Sequence, residues 1–414
     1  MKKLQAYFLL CCLATAAPFA QETGQNYGIR FSGFVKNDIF YDTRQSSATN
    51  GLREGHFYLF PDNKRTDADG VDINANPSFH ILSIQTRIKG DISGPDALGA
   101  KTSGLIEAEF FGTSEADING FRLRHAWIKF DWKTTSLLIG QNWHPLFPVE
   151  SFPGTISFNT GAPFTPFSRN PQVKITRKAG FLTFSATAYS QRDFISQGPD
   201  GASNKYLRNS GIPGLNAGLR IAGGELLTGW TGVDYKVLRP ELRTEANYET
   251  DSKIGSVSIY ATLKLKTKPV NVTLMGIRAQ NATDLMMTGG YAVKEITDAV
   301  RRTKEYTNIC TGSLWADIST NGSKIAFGLF SGYSKNMGSK NTILNINSIY
   351  GRGTDIDHIF RLAPRITLNS GKISLAFELE NTLAAYGTTD DFGKVSVNSK
   401  VTNTRLLLAT IYRF

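Results

Sequence analysis

Apolar and polar residues alternate with a period of two along most of this chain. Ile29, Phe31, Gly33 and Val35 are separated by Arg30, Ser32, Phe34 and Lys36. His80, Leu82, Ile84, Thr86 and Ile88 interleave with Ser83, Gln85, Arg87 and Lys89, and Ile106, Ala108 and Phe110 with Glu107 and Glu109. Val257, Ile259, Ala261, Leu263 and Leu265 form another apolar set, and Ile373, Leu375, Phe377 and Leu379 a further one, broken by Ser374, Glu378 and Glu380. Side chains of a strand point alternately to its two faces, so each run predicts a strand with one apolar face. The runs match the ~9–11 residues a tilted strand needs to cross a bilayer. The polar face carries charges on strand after strand, which suits a wet lumen better than a sandwich core. A long unbroken series also favours closure, because open edges invite aggregation. The predicted fold is all-β: a transmembrane antiparallel barrel of about sixteen strands, within the known range. An exported soluble β-protein is the competing reading.

The pattern changes phase between Phe121 and Trp132, where Arg122 and Arg124 share parity with Ala126, Ile128 and Phe130. A bulge would re-aim the second half of such a strand. Segment 325–333 is ambiguous in the same way. Ser93-Gly94-Pro95 and Asn321-Gly322 read as tight turns. The polar stretches 45–78, 194–213, 281–305 and 335–354 read as extracellular loops, with a short helix expected in 281–305. At the end of the sequence Leu406, Leu408, Tyr412 and Phe414 share one face. An aromatic end preceded by alternate apolar residues resembles the signal read by the barrel-assembly machinery.

The first residues add an export signal. Lys2 and Lys3 precede an apolar stretch from Ala6 to Ala17, and small residues lead to Ala20. That order predicts a signal peptide over 1–20 and one domain over 21–414. Leu10 before Cys11 argues against a lipoprotein site. Of three cysteines only Cys310 lies beyond the signal, so no intramolecular disulfide is expected. The net charge of +11 comes from 46 basic and 35 acidic residues. A basic exported chain can bind nucleic acid, an anionic membrane surface or anionic solutes. These charges are dispersed with no basic block, which points away from nucleic acid and leaves outer-membrane lipid and anionic solutes as the expected partners. No second stretch approaches a spanning helix, so a membrane crossing has to be made by a closed barrel.

The connection after the strand Ser136 to Gly140 is unusual. It starts at Gln141-Asn142-Trp143-His144-Pro145, passes Pro153 and Phe158, and ends Phe164-Thr165-Pro166-Phe167-Ser168-Arg169-Asn170-Pro171-Gln172. It is rich in Pro, Phe and Gly and poor in charge. In porins a long loop after an early strand folds into the lumen and narrows it. The chain here resembles the DcaP-like family of trimeric outer-membrane porins. The resemblance is carried by Gly33 to Asp38 with Tyr41-Asp42-Thr43, by Arg122 to Ala126 with Leu138 to Trp143, by Pro153 to Gln172, and by Ala363-Pro364-Arg365, Gly371-Lys372 and Glu378 to Gly387. Some members carry a helical extension before the first strand, for which residues 21–27 are too short. The loop, with Trp143, Pro153, Phe158, Phe164 and Pro171, is expected to fold inward as a constriction, the alternative being an exposed loop that clamps a neighbouring subunit, and the resemblance implies a sixteen-stranded homotrimer. It also implies passage of small hydrophilic solutes, with a leaning towards anions.

A pore selects by width and by the field on its wall. Arg122 and Arg124 are candidate wall residues, with Glu107 and Glu109 facing them across the ladder as the source of a transverse field. Arg361 and Arg365 lie on a late strand at matching parity, Lys174 follows the Pro-rich loop and Arg169 closes it. The alternative is that these charges pair and tie strands to loops. Trp127, Trp132, Trp143, Trp230, Trp315 and Tyr412 suggest aromatic girdles, with Trp143 packed under the inward loop. The histidines His56, His80, His125, His144 and His358 show no metal-ligand spacing, and neither a nucleophile elbow nor a phosphate-binding loop is present. No catalytic residue, metal or cofactor is therefore expected. A structural or adhesive barrel whose loops bind a partner remains the alternative function, with a barrel-embedded hydrolase behind it.

Overall fold

The computed structural model describes residues 27–46, 51–52, 57–112, 117 and 119–414. The expected signal peptide and nearly all of segment 21–27 lie outside the described residues. Sixteen antiparallel staves close into one barrel. They are β1 (Gly28–Asp42), β2 (Ser78–Leu82, resuming as Arg87–Ser93), β3 (Lys101–Glu109), β4 (Arg122–Asp131), β5 (Thr135–Trp143) and β6 (Arg169–Ala179). Then follow β7 (Leu182–Tyr189), β8 (Gly214–Gly223), β9 (Leu227–Leu238), β10 (Ile254–Lys266) and β11 (Val270–Gln280). The last five are β12 (Thr303–Thr320), β13 (Ile325–Ser339), β14 (Ile356–Ser370), β15 (Ile373–Thr389) and β16 (Val395–Arg413). Closure joins β1 to β16, from Phe34 opposite Arg413 to Asp42 opposite Arg405. Gly33 and Phe414 exchange backbone hydrogen bonds beyond that ladder.

Outward positions are apolar on every part of the wall. Phe31, Ile128, Ile259, Leu314, Phe327 and Phe377 are all exposed. Water does not tolerate a continuous belt of this kind, whereas hydrocarbon does. No helix among the described residues is long and apolar enough to cross a membrane; the crossing is made by the staves. Tyr412 and Phe414 also face outwards.

The phase change near Arg124 and a second one in β2, not read from the sequence, have the same physical cause. Leu82 pairs with Asp38 and Arg87 with Phe34, so four residues of β2 oppose three of β1. The extra residue reverses parity: Phe79 and Ile81 face out before the break and Ile88 after it. The expected outward set His80, Leu82, Ile84 is thus corrected, and Ile84 is a buried inward residue. On β4, Glu107 pairs with His125 but Ala108 with Leu123, which leaves Arg124 as the bulged residue. Arg122 and Arg124 consequently point inwards while Leu123 and Ile128 point to lipid. On β13 the odd positions Ile325, Phe327, Leu329 and Tyr333 face out, and Phe330 faces in.

Short connections occupy one end of the barrel and most long ones the other. The long set differs from expectation in four respects. Segment 281–305 holds a strand, Gly289–Asp298, paired with β12 and with Ile349–Arg352, and not a helix beyond one turn at Thr283–Leu285. Ile325–Ser339 takes the first residues of 335–354 into the wall. A further long connection, 239–253, was not anticipated. Within 45–78 the segment Phe57, Tyr58, Leu59 and Phe60 is fully buried, so this loop is not simply polar and exposed.

Candidate functional site in the barrel lumen

The connection from β5 to β6, residues 144–168, lies inside the barrel and crosses to staves on the far side. His144 N donates to Ser168 O at 2.9 Å and so draws its two ends together. The Glu378 carboxylate on β15 accepts from Ile156 N at 2.8 Å and Ser157 N at 2.9 Å. Asn159 Nδ2 donates to the Glu380 carboxylate at 3.0 Å. Arg361 on β14 donates to Ala162 O at 2.8 Å, Ser313 on β12 to Phe164 O at 2.8 Å, and Lys36 on β1 to Ile156 O at 2.7 Å. The loop carbonyls and amides, which lack a ladder, are thereby satisfied by wall side chains. The Phe164 ring lies over Gly332 so closely that a Cβ there would come within 2.5 Å of Cγ.

Of the expected loop residues, Pro153, Phe158 and Phe164 are buried within the loop. Trp143 is the last residue of β5 and packs beneath the loop on Phe147 and Phe167, with centroids 4.5 and 5.1 Å apart. Pro171 is corrected: it sits on the stave β6 opposite Gln141, not on the loop. The girdle reading is corrected as well. Trp230 and Trp315 are buried within the lumen, whereas Trp143 packs under the inward loop as expected. Trp132 sits at a short turn, with Nε1 donating to Leu98 O.

The charged residues do not oppose one another across open water. Glu109 is fully buried at the centre of a cluster. It pairs with Arg124, with Arg87 at 3.1 Å, with Arg169 at 3.3 Å and with Arg122 at 3.7 Å. Glu107 pairs with Arg124 at 2.7 Å. Asp193, from the loop after β7, bridges Arg169 at 2.7 Å and Arg122 at 3.1 Å. Burial pushes the Asp193 carboxyl up, but Arg169 and Arg122 outweigh it and hold the group below the ordinary carboxylate range. Four guanidiniums thus meet three carboxylates on one wall, with Arg169 and Arg124 stacked over Trp143 at 5.3 and 5.6 Å. The transverse field of the sequence reading becomes a neutralising network with one surplus positive charge.

Arg361 and Arg365 are likewise paired. Arg365 makes a two-pronged bridge to Asp317 at 2.8 and 2.9 Å. Arg361 contacts Glu380 at 3.2 Å and also donates to Leu59 O at 2.6 Å. Leu59 belongs to the buried segment Phe57 to Phe60, a hook that descends from the connection between β1 and β2. Tyr58 is held between the guanidiniums of Arg361 and Arg405, at 5.1 and 4.7 Å from its ring centre. Phe57 meets Phe158 at 5.5 Å and Phe194 at 5.6 Å. The hook, Asp193, Arg87, Asp317 and Arg405 are missing from the site as read from the sequence. Arg87, Asp317 and Arg405 sat at inward parity and were legible as polar-face positions, Arg87 being already named as one, whereas Asp193 lies on a loop and carried no such signal. The hook carried no periodic signal. Lys174 stands apart, half-buried, below the inward loop.

A closed sixteen-stave barrel with a lipid belt, a charged inner wall and a loop after the fifth stave folded into the lumen has the architecture of a porin. The outer membrane channel DcaP of Acinetobacter baumannii has the same fold: TM-score 0.69 and 17% identity over 96% of this chain and 100% of that one. The outer-membrane expressed OmpT of Vibrio cholerae superposes with TM-score 0.55 at 9% identity over 94% of this chain and 99% of that one. A trimer form of OmpT gives TM-score 0.50 at 9% identity over 94% and 100%. No family model and no curated protein matches the sequence. The lipid belt and this architecture make the chain a transmembrane β-barrel with the porin fold.

Proposed function

We propose that this barrel is a passive porin, a channel and not an enzyme, that passes small hydrophilic solutes with a preference for anions and works as a homotrimer. The observation that carries the reading is the inward loop 144–168, tied through Glu378, Glu380 and Arg361 to the far wall of a charged lumen. Such a loop sets pore width, and the cluster around Glu109 on the near wall carries four guanidiniums against three carboxylates, which favours anions. Arg122, Arg124, Arg169 and Lys174 are the cations assigned to selectivity. The trimer form recorded for OmpT supports the oligomeric state. The outward Tyr412 and Phe414 would be the face read during barrel assembly.

Planar-bilayer conductance under a salt gradient tests this. Stable steps in groups of three with a reversal potential of anion sign are the expected result. Silence from demonstrably folded protein would favour a structural or adhesive barrel. One observation supports that second reading: Phe57, Leu59 and Phe60 of the hook and the aromatic loop residues form one apolar cluster with Trp315, Tyr386 and Ile84 of the wall.

A further inference from the structure

Below the inward loop, towards the short-turn mouth, lies a luminal cavity of about 290 Å³. Its lining combines three kinds of chemistry. Lys174 and Arg220 bring positive charge; Asn142, Thr176 and Thr183 bring neutral groups that donate and accept; Trp230 and Tyr260 bring ring faces. Arg220 lies over the Trp230 ring at 5.7 Å and is held by the Glu150 carboxylate at 3.0 and 3.1 Å. Lys264 donates to the Glu150 carbonyl, so the loop segment at Glu150 is clamped over the cavity mouth. The Glu150 side chain itself is 61% exposed and its bridge to Arg220 is therefore weak. Among the described residues no carboxylate stands within ion-pairing distance of Lys174. Here, unlike in the arginine cluster around Glu109, one cation, Lys174, is left without a close carboxylate beside open space, and a second, Arg220, is held only by the exposed Glu150.

We propose that this cavity is a solute subsite for a small hydroxylated anion, a sugar acid or sugar phosphate. The proposal rests on the channel reading, to which it adds a place and a ligand chemistry. Lys174 and Arg220 take the anionic group, and Arg220 exchanges Glu150 for it. Asn142, Thr176 and Thr183 meet hydroxyls, which need partners that both donate and accept. The C–H face of the sugar lies on Trp230 and Tyr260. The volume sits at the small end of ligand pockets, ~300 Å³, which fits one sugar unit.

Calorimetry on the detergent-solubilised full chain, titrated with glucuronate, glucose 6-phosphate, glucose and acetate, tests it. Glucuronate or glucose 6-phosphate is expected to bind about tenfold more tightly than glucose, which lacks the charge-assisted contact, and about tenfold more tightly than acetate, which lacks the hydroxyl contacts and the ring face. The tighter of the two anions identifies carboxylate or phosphate as the group bound. Lys174→Gln and Trp230→Leu are each expected to weaken that binding by roughly tenfold. Heat-modifiable gel mobility confirms that each variant is folded, and Trp230→Phe serves if the leucine variant is not. Equal binding of glucuronate and acetate, no binding, or no effect of either variant overturns the proposal. A barrel that conducts without binding sugar anions refutes the subsite alone; one that binds them without conducting refutes the channel alone.

Discussion

Arg361 on β14 donates a hydrogen bond from Nη1 to the carbonyl oxygen of Ala162, on the inward loop, at 2.8 Å. Its other nitrogens reach Leu59 O at 2.6 Å and Glu380 at 3.2 Å. One fully buried guanidinium therefore holds both the inward loop and the hook, and a planar fork is suited to this because its donors diverge. Arg361→Ala leaves the buried Glu380 carboxylate without its cation and two carbonyls without donors. The expected loss is about 3–5 kcal/mol, typical of breaking a buried pair, read as a lower urea midpoint. Arg361→Lys should recover only part, because one ammonium does not span both carbonyls. A wild-type midpoint in the alanine variant would show that the loop is held elsewhere.

Arg122 and Arg124 are neighbours with different roles. The Arg122 side chain is 14% exposed and reaches Asp193; that of Arg124 is 2% exposed and lies between Glu107 and Glu109. Arg122→Ala is expected to move the reversal potential towards cations with a smaller stability cost than Arg124→Ala, because Arg169 still pairs with both Asp193 and Glu109. Arg124→Ala should cost about 3–5 kcal/mol, because Glu109 is buried. The double variant should have lower anion preference. Unchanged reversal potentials in it would remove both residues from the selectivity filter.

The hook is expected to limit conductance. Phe57 and Tyr58 fill space between the inward loop and Arg405 without belonging to the barrel wall. Phe57→Ala with Tyr58→Ala should raise the single-channel conductance, with a stability loss of roughly 3–5 kcal/mol for each large aromatic removed. Conductance equal to that of the unaltered barrel would show that solutes pass by another route.

His144 predicts an acid-sensitive loop. It follows β5 directly, and its Nδ1 accepts from Leu146 N at 3.2 Å, which requires an unprotonated nitrogen. Burial pushes its pKa down to about 3; Asp284 opposes this and Lys236 adds to it. The unfolded chain, with a histidine pKa of ~6.5, takes up the proton first as pH falls. Stability is thus complete above ~6.5 and declines from there towards about 3. Asn replaces the Nδ1 acceptor but does not titrate, so His144→Asn should flatten the decline in urea midpoint between pH 7 and 4.5. An unchanged slope would place the sensitivity in other groups.

How much of this was legible beforehand depends on the range of the interaction. Period-two alternation is a property of a single strand, and the rows around Ile259, Phe377 and Leu406 were readable because each stave alone must show one face to lipid and one to the lumen. The bulge near Arg124 was readable for the same reason, as a parity change within ten residues. The reversal in β2 was missed because Ile84 and Thr86 mimic an apolar row through the extra residue. The strand Gly289–Asp298 was missed because it pairs as a protrusion from β12 and owes nothing to the lipid boundary.

By itself, the sequence determined a closed membrane barrel, its approximate stave count, the outward face of most staves and the charge-poor connection after Trp143. Each follows from local alternation and from the requirement that no backbone group in lipid be left unpaired. Only the tertiary structure decided which charges neutralise which, that Arg361 meets Ala162 and Leu59, that Phe57 to Phe60 turn inwards, and that Lys174 is left beside an open cavity. Those contacts join positions up to hundreds of residues apart, brought together only when the barrel closes, and no local pattern encodes a partner at that distance.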